Sequence, residues 1–492
     1  MKMVEYKGKK IKKKGMGKIT KNYLYNLIYQ IFIMFVPLIT APYLARVLGP
    51  EGTGIYSYIY SVTTVICTFV MLGIYNYGNR QIAYVRDDEQ KLSEVFWQIM
   101  SARIIIAFLG TIVYFGITMV LGKYRSLFCI YYIYLLAYFI DCTWLYIGVE
   151  DMKWAVIKNT VTKIFAVAGI FIFVKNEDDV WIYVLIQAVS VFLSNLLAYT
   201  QIKRYAKKPH FDFSNIKSDI CGAAMLFLPS VATTIYTQCD KIMIELLTGQ
   251  TDQVSFYDYS EKIVTIPLTF ITVLSTVMMP RIANEFKKGN KDSISSLLNR
   301  AARFSMFLAF PMVLGLIAVA DKLVPWYLGK DFAPTVYAIV LIAPMIISNT
   351  LSGISGNQYF TATNQISILI KSQFTAAIAN VIINAILIPH YGFYGAALAT
   401  LMTSFSCAII QYIFMLKQIK LPGLFKETIK YLIISLVMLL GIRIITGNMK
   451  ATPLTNIVQV VIGCVIYIIG CLIMKDEQIK FIINKLKSIL YK

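Results

Sequence analysis

Apolar runs of helical length follow one another along this chain, separated by short polar connections. They fall at about 24–44, 54–74, 97–121, 127–147, 155–174, 180–201, 219–239, 255–279, 302–320, 334–355, 367–388, 393–416, 429–446 and 454–474. Each has roughly the 20 residues that a helix needs to cross a bilayer. The pattern predicts an all-α membrane protein with about fourteen transmembrane helices. The first connection sets the style of the rest. Gly49-Pro50-Glu51-Gly52 makes a tight turn between two apolar helices, with Arg46 just inside it. Pro37 and Pro42 interrupt the first run, which a membrane helix tolerates where the freed carbonyls find partners in a protein-lined cavity.

The runs repeat with an offset of about 200 residues: Gly49 matches Gly249, Tyr56 matches Phe256, Ile82-Ala83 matches Ile282-Ala283, and Ala102-Arg103 matches Ala302-Arg303. Later the offset drifts to 213, aligning Lys158 with Lys371. The order of these matches predicts two six-helix lobes in parallel orientation, 24–203 and 218–416. Two further helices, at 428–474, have no counterpart; basic tails at 1–23 and 475–492 flank the whole.

Composition agrees with a membrane setting. Hydrophobic residues make up 58% and charged residues only 15%, against about 25% charged in a soluble domain. The net charge of +21 would suit nucleic acid, but the basic residues lie beside the spans. Roughly 32 of the 47 Lys and Arg fall on one side of the alternation and 9 on the other. This asymmetry places both termini in the cytoplasm and excludes nucleic acid as a partner. Residues 1–23, with nine Lys, read as a cytoplasmic tail beside anionic lipid and not as a secretory signal. Gly15-Met16-Gly17-Lys18 lacks the spacing of a phosphate loop. The eight cysteines form no Cys-x-x-Cys pair, and His210 and His390 stand far apart, so no metal site and no cofactor is expected.

Charged and polar residues inside the apolar runs are the candidate chemistry. A charge at the bilayer centre costs about 2.5–3.5 kcal/mol and normally faces a water-filled path or a counter-charge. Arg103, Lys158, Lys163, Lys262, Arg303 and Lys371 fall within or at the ends of spans, joined by Arg46, Asp141 and Asp240. Snorkelling from a helix end is the competing reading, strongest for Arg103 and Arg303. Asn380 and Asn384 add amides to an otherwise apolar stretch. Asp258, Glu261 and Lys262 share one helical face through their i, i+3, i+4 spacing. They either neutralise one another or, at Asp258 and Glu261, take part in ion coupling.

Several segments resemble one known family. Tyr43-Leu-Ala-Arg-Val-Leu-Gly-Pro-Glu-Gly-Thr-Gly-Ile-Tyr-Ser-Tyr58 resembles the opening signature of the polysaccharide repeat-unit flippases of the Wzx type. Asp141-Cys-Thr-Trp-Leu-Tyr-Ile-Gly-Val-Glu-Asp-Met-Lys153 resembles their fourth-to-fifth helix turn, with Tyr146-Ile147 where the family usually shows an aromatic pair followed by Gln. Asp240-Lys-Ile-Met243, Glu261-Lys-Ile263 and Pro280-Arg-Ile282 resemble the start of the second lobe, and Asn384-Ala-Ile-Leu-Ile-Pro-His-Tyr-Gly-Phe-Tyr-Gly-Ala-Ala397 the eleventh-to-twelfth turn. The resemblance implies the two-lobed fold of the multidrug, oligosaccharidyl-lipid and polysaccharide exporters (MATE-like). It implies a non-enzymatic job in the bacterial cytoplasmic membrane: moving an undecaprenyl-diphosphate-linked oligosaccharide across by alternating access. Its implied partners are membrane lipids and the polymerase and glycosyltransferases of the same pathway. On the residue side, cavity Lys and Arg suit the diphosphate, and amides, hydroxyls and aromatic faces suit the sugars. The nearest alternative is a lipid II flippase of peptidoglycan synthesis. From another class, a glycan polymerase is disfavoured because no outer connection exceeds about 15 residues.

Overall fold

A computed structural model describes residues 14–71, 73–207, 216–225, 227–421, 424–480, 484 and 488. The first thirteen residues of the basic tail, His210 and most of the tail after Lys480 lie outside the described residues. The chain is helical throughout its described length. Helix α1 (Lys14–Met71) passes through Gly49, whose φ of 65° and ψ of −177° divide it into two helical segments. Then come α2 (Ile74–Val85), α3 (Glu89–Leu121), α4 (Arg125–Phe139), α5 (Thr143–Gly148), α6 (Met152–Phe173) and α7 (Val180–Ala198). The order continues with α8 (Ile216–Met225), α9 (Leu228–Thr248), α10 (Thr251–Lys287), α11 (Lys291–Tyr327), α12 (Thr335–Ile342) and α13 (Met345–Ser352). A π-helical segment, Gly353–Phe360, leads to α14 (Ile366–Tyr391), α15 (Phe393–Leu416), α16 (Leu424–Thr446) and α17 (Pro453–Ile473).

Eleven segments among the described residues are long and apolar enough to cross a membrane, and one of them, Ile28–Met71, holds two crossings joined at Gly49. Helices α9 and α10 have 21 and 37 residues and are long enough as well, though more polar. This agrees with about fourteen crossings. Large apolar side chains such as Phe108, Phe165 and Ile444 are exposed, as expected where the solvent is lipid. Three spans that read as continuous are broken. The fourth divides into α4 and α5 around Asp141, and the seventh into α8 and α9. The tenth divides into α12, α13 and the π-helical segment; Pro344, which has no N–H to offer, stands at the α12–α13 junction.

The chain forms two compact units. One comprises Met1–Thr40, Phe69–Val174 and Trp181–Phe227. Its core gathers Phe96, Trp97, Trp144 and Tyr146, with Phe96 and Trp144 stacked at 5.4 Å between ring centroids. Gly78 admits the Trp144 ring, which a Cβ there would meet at 2.6 Å. The other comprises Ala41–Thr68, Lys175–Val180 and Leu228–Lys492. Within it α16 and α17 pack on α11 around Phe307, Tyr431 and Tyr467, and the Tyr467 hydroxyl donates to the Phe307 carbonyl at 2.7 Å. Capping repeats along the chain: Asp88 accepts from the amides of Gln90 and Lys91 ahead of α3, and Asn290 accepts from Ser293 ahead of α11. Each cap side chain replaces an intrahelical partner that the first turn lacks.

Candidate functional site

In the first unit a polar cavity of about 510 Å³ lies among α1, α2, α6, α7 and the break between α4 and α5. The break is held from two directions. Asp141 accepts from the Thr143 amide at 2.8 Å and from the Thr143 hydroxyl, a local turn that side-chain oxygens favour. Arg103, buried on α3, donates to the freed carbonyls of Tyr138 and Asp141. A cation thus satisfies acceptors that the helix gave up. The cavity wall carries the Asp141 carboxylate, the Lys163 ammonium, Asn159, Asn195, Thr162, Ser190 and Ser194, with Tyr29, Tyr75 and Tyr138. Lys158, fully buried behind the wall, donates to the amide oxygens of Asn159 at 3.0 Å and Asn195 at 3.3 Å. Ser194 also donates to Asn159, at 2.6 Å. Lys163 reaches Gln187 at 3.3 Å. The wall therefore offers one cation and one carboxylate among amides, hydroxyls and rings. Such a surface can bind a polar anionic guest.

The second unit holds two charge clusters. Asp240 on α9 is fully buried and is held by neutral donors: the Tyr257 hydroxyl, the Thr400 hydroxyl at 2.7 Å and the Asn384 amide. Asn384 also donates to Asn380 at 3.1 Å. Next to Asp240 in the chain, Lys241 bridges Asp258 and Glu261 on α10, each at 2.9 Å. Asp258 pairs with Lys262 as well. Lys241 and Asp258 are 8% and 6% exposed at their side chains, whereas Lys262 is 49% exposed and lies 5.2 Å from the Tyr259 ring centre. Two carboxylates and two ammonium groups balance, which is how ions persist away from water.

The structure brings some expected residues together and leaves others apart. Asp141 and Lys163 share the first-unit cavity; Lys158 stands directly behind it, and Arg103 serves the helix break. Asp240, Asn380 and Asn384 form one cluster; Asp258, Glu261 and Lys262 form another. Arg46 donates to the Trp326 carbonyl. Arg303 faces Glu477 at 3.6 Å. Lys371 is exposed on α14, with no ion pair among the described residues. Lys241 lies two residues past the expected end of the 219–239 run, yet it is a buried helical residue, because α9 runs on to Thr248 and two carboxylates neutralise it. Tyr257 and Thr400, which complete the shell of Asp240, carry no charge and gave no signal in an apolar pattern. Among the described residues no group of three or more His, Cys, Asp or Glu could hold a metal ion.

Long apolar helices enclosing polar cavities and neutralised charges define a multi-pass membrane protein of transporter architecture. The chain belongs to the polysaccharide biosynthesis protein family, whose model matches residues 19–286. The family expected from the sequence motifs is thereby upheld. A protein of Escherichia coli K12 named as an O-antigen transporter is 22% identical over 390 residues, covering 78% of this chain and 94% of its own. A Haloferax volcanii protein named as a low-salt glycan biosynthesis flippase is 24% identical over 247 residues, about half of each chain. Among solved structures, the lipid II flippase MurJ in an inward closed conformation matches with a TM-score of 0.71 at 17% identity, covering 92% of this chain and 98% of that one. An inward-facing MATE family multidrug transporter of the MOP superfamily matches at 0.63 and 14% identity, over 82% and 96%. These likenesses establish the fold.

Proposed function

We propose that this chain is a flippase that carries undecaprenyl-diphosphate-linked oligosaccharide repeat units from the inner to the outer leaflet of the bacterial cytoplasmic membrane, with both termini in the cytoplasm. The observation that carries the reading is the first-unit cavity, with Lys163 set among amides, hydroxyls and tyrosines, in a member of the polysaccharide biosynthesis family. A diphosphate leaving water needs positive charge and donors. Lys163 supplies these at the wall, and Lys262, half exposed, supplies a second ammonium in the other unit. Arg46 and Lys371 are further exposed cations available to the diphosphate. The lobes 24–203 and 218–416 open alternately to either side, and the prenyl tail stays in lipid. No bond is made or broken in the substrate. The pathway's polymerase and glycosyltransferases are the proteins expected beside it.

Deletion of the gene, with analysis of surface glycan and lipid-linked intermediates, tests this. Viable cells are expected to lose a surface polysaccharide and to accumulate complete repeat units on undecaprenyl diphosphate at the inner face. Complete units exposed outside but unpolymerised would replace the reading with a polymerase. Lethal loss of peptidoglycan would replace it with a lipid II flippase.

A further inference from the structure

We propose that a second cavity, enclosed by α9, α10, α13, α14 and α15 in the second unit, is a subsite for one uncharged sugar residue of the transported head group. The inference rests on the flippase reading and adds where the glycan, as distinct from the diphosphate, is held. The cavity has a volume of about 280 Å³. That is room for a single ring and not for a whole oligosaccharide.

Its lining decides the chemistry. Tyr236, Thr272, Asn349, Asn357, Gln373 and Ser404 face it, and among the described residues no Lys, Arg, Asp, Glu or His does. The first-unit cavity, by contrast, carries both Asp141 and Lys163. A phosphate or a uronic acid would meet no cation here, and a prenyl chain would strand the amides. The side chains of Asn349, Asn357 and Gln373 have no hydrogen-bond partner among the described residues. Asn349 and Gln373 are half-buried and Asn357 is exposed, so their amides stand open to a guest that pairs with them. Each carboxamide presents both donors and an acceptor; a sugar hydroxyl or acetamido group is likewise both. The Tyr236 ring supplies a flat apolar face for the ring carbons.

The floor is built to hold these groups in place. Ser355 donates to the Gln411 amide oxygen at 2.9 Å, and Gln411 donates to the Ser372 hydroxyl at 2.9 Å. One side chain on α15 thereby ties the π-helical segment to α14. Ser348 donates to Ser404 at 2.8 Å. At Gly356 a Cβ would come within 2.7 Å of Leu369 and 3.3 Å of Gln411, so glycine permits this close packing. The π-helical backbone of Gly353–Phe360 carries Asn357 into the cavity wall, and such segments recur at functional sites.

Binding to the purified full-length chain tests the assignment, with three probes: undecaprenyl diphosphate, and the same lipid bearing one N-acetylglucosamine or one galactose. At least one sugar-bearing lipid is expected to bind more tightly than the bare lipid. Asn349→Ala, Asn357→Ala and Gln373→Ala are each expected to weaken that lipid about three- to tenfold and to leave the bare lipid unchanged. Gln373→Glu keeps the volume and replaces Gln373→Ala if the latter unfolds, as judged by its melting curve. Equal binding of bare and sugar-bearing lipids by the unmodified protein overturns the subsite, as do variants that weaken both alike. Binding of none of the three lipids overturns the flippase reading itself.

Discussion

Lys241 and Lys262 share the carboxylate of Asp258, yet their surroundings differ. Lys241 is enclosed between Asp258 and Glu261, whereas half of Lys262 is open. Removing one member of a buried ion pair leaves its partner uncompensated, at about 3–5 kcal/mol. Lys241→Ala is therefore expected to lower the melting temperature of the purified protein markedly. Lys262→Ala is expected to change stability by less than about 1 kcal/mol while reducing glycan export, measured as surface polysaccharide in complemented deletion cells. Full export by the Lys262→Ala protein would remove that residue from the transport path. Asp476, just past α17, gives a pH test. Burial opposes its charge, but Lys430 and the Tyr431 hydroxyl at 3.0 Å hold its carboxyl below the ordinary value. A depressed folded-state value stabilises the fold above the unfolded-state value near pH 4 and is lost as pH falls through the lower one. Protection against hydrogen exchange in 424–480, taken relative to the intrinsic rate at each pH, should thus fall on acidification below about pH 4, and Asp476→Asn should abolish that fall. The residue pattern disclosed Asp258, Glu261 and Lys262 because i, i+3, i+4 spacing is local. It left Lys241 beyond the end of the 219–239 run, because its counter-charges stand 17 and 20 positions later, on another helix.

At the scale of elements, the glycine-rich opening signature acquires three separate causes. Gly49 adopts a backbone open only to glycine, with nothing within 4 Å of a Cβ placed there. Gly52 lies against Val180, where a Cβ would sit 2.8 Å from the methyl carbon. Gly54 lies against the backbone of Thr251, whose carbonyl oxygen would be 1.8 Å from its Cβ. Close helix approach through small residues is a main source of packing in membranes. Gly49→Ala is expected to cost about 1–3 kcal/mol of backbone strain. Gly54→Ala must move a helix, so its protein is expected to melt lower than that of Gly49→Ala and to express less. The turn at Gly49, like its counterpart at Gly249 with φ of 70°, was legible as a repeat. The breaks at Asp141 and Pro344 were not, because an apolar run says nothing of where its hydrogen bonds lapse. Arg103 explains why the first of these breaks is stable, and it comes from a helix that ends before the break begins.

For the molecule as a whole, alternation of apolar runs carried the architecture, and the skew of basic residues underlies the proposed orientation. A fluorescent protein fused after Lys492 is expected to be bright, and alkaline phosphatase fused there inactive; the reverse would invert the topology. Helices α9 and α10 are the more polar crossings, and they carry the charges that the second unit neutralises internally. Their identity as spans rests on partners that only the fold supplies.

Gln411 bears on how such proteins diversify. Its hydrogen bonds to Ser355 and Ser372 fix the helices around the neutral cavity, which it also lines, while the Asn357 and Gln373 side chains contribute to the wall with no hydrogen-bond partner among the described residues. Within one wall, then, Gln411 serves as scaffold and the Asn357 and Gln373 side chains do not. A lineage can exchange wall amides and so change the sugar it accepts, with little penalty to assembly. Selection for a new surface coat would then leave its trace at 349, 357 and 373, and Gln411 would stay as it is.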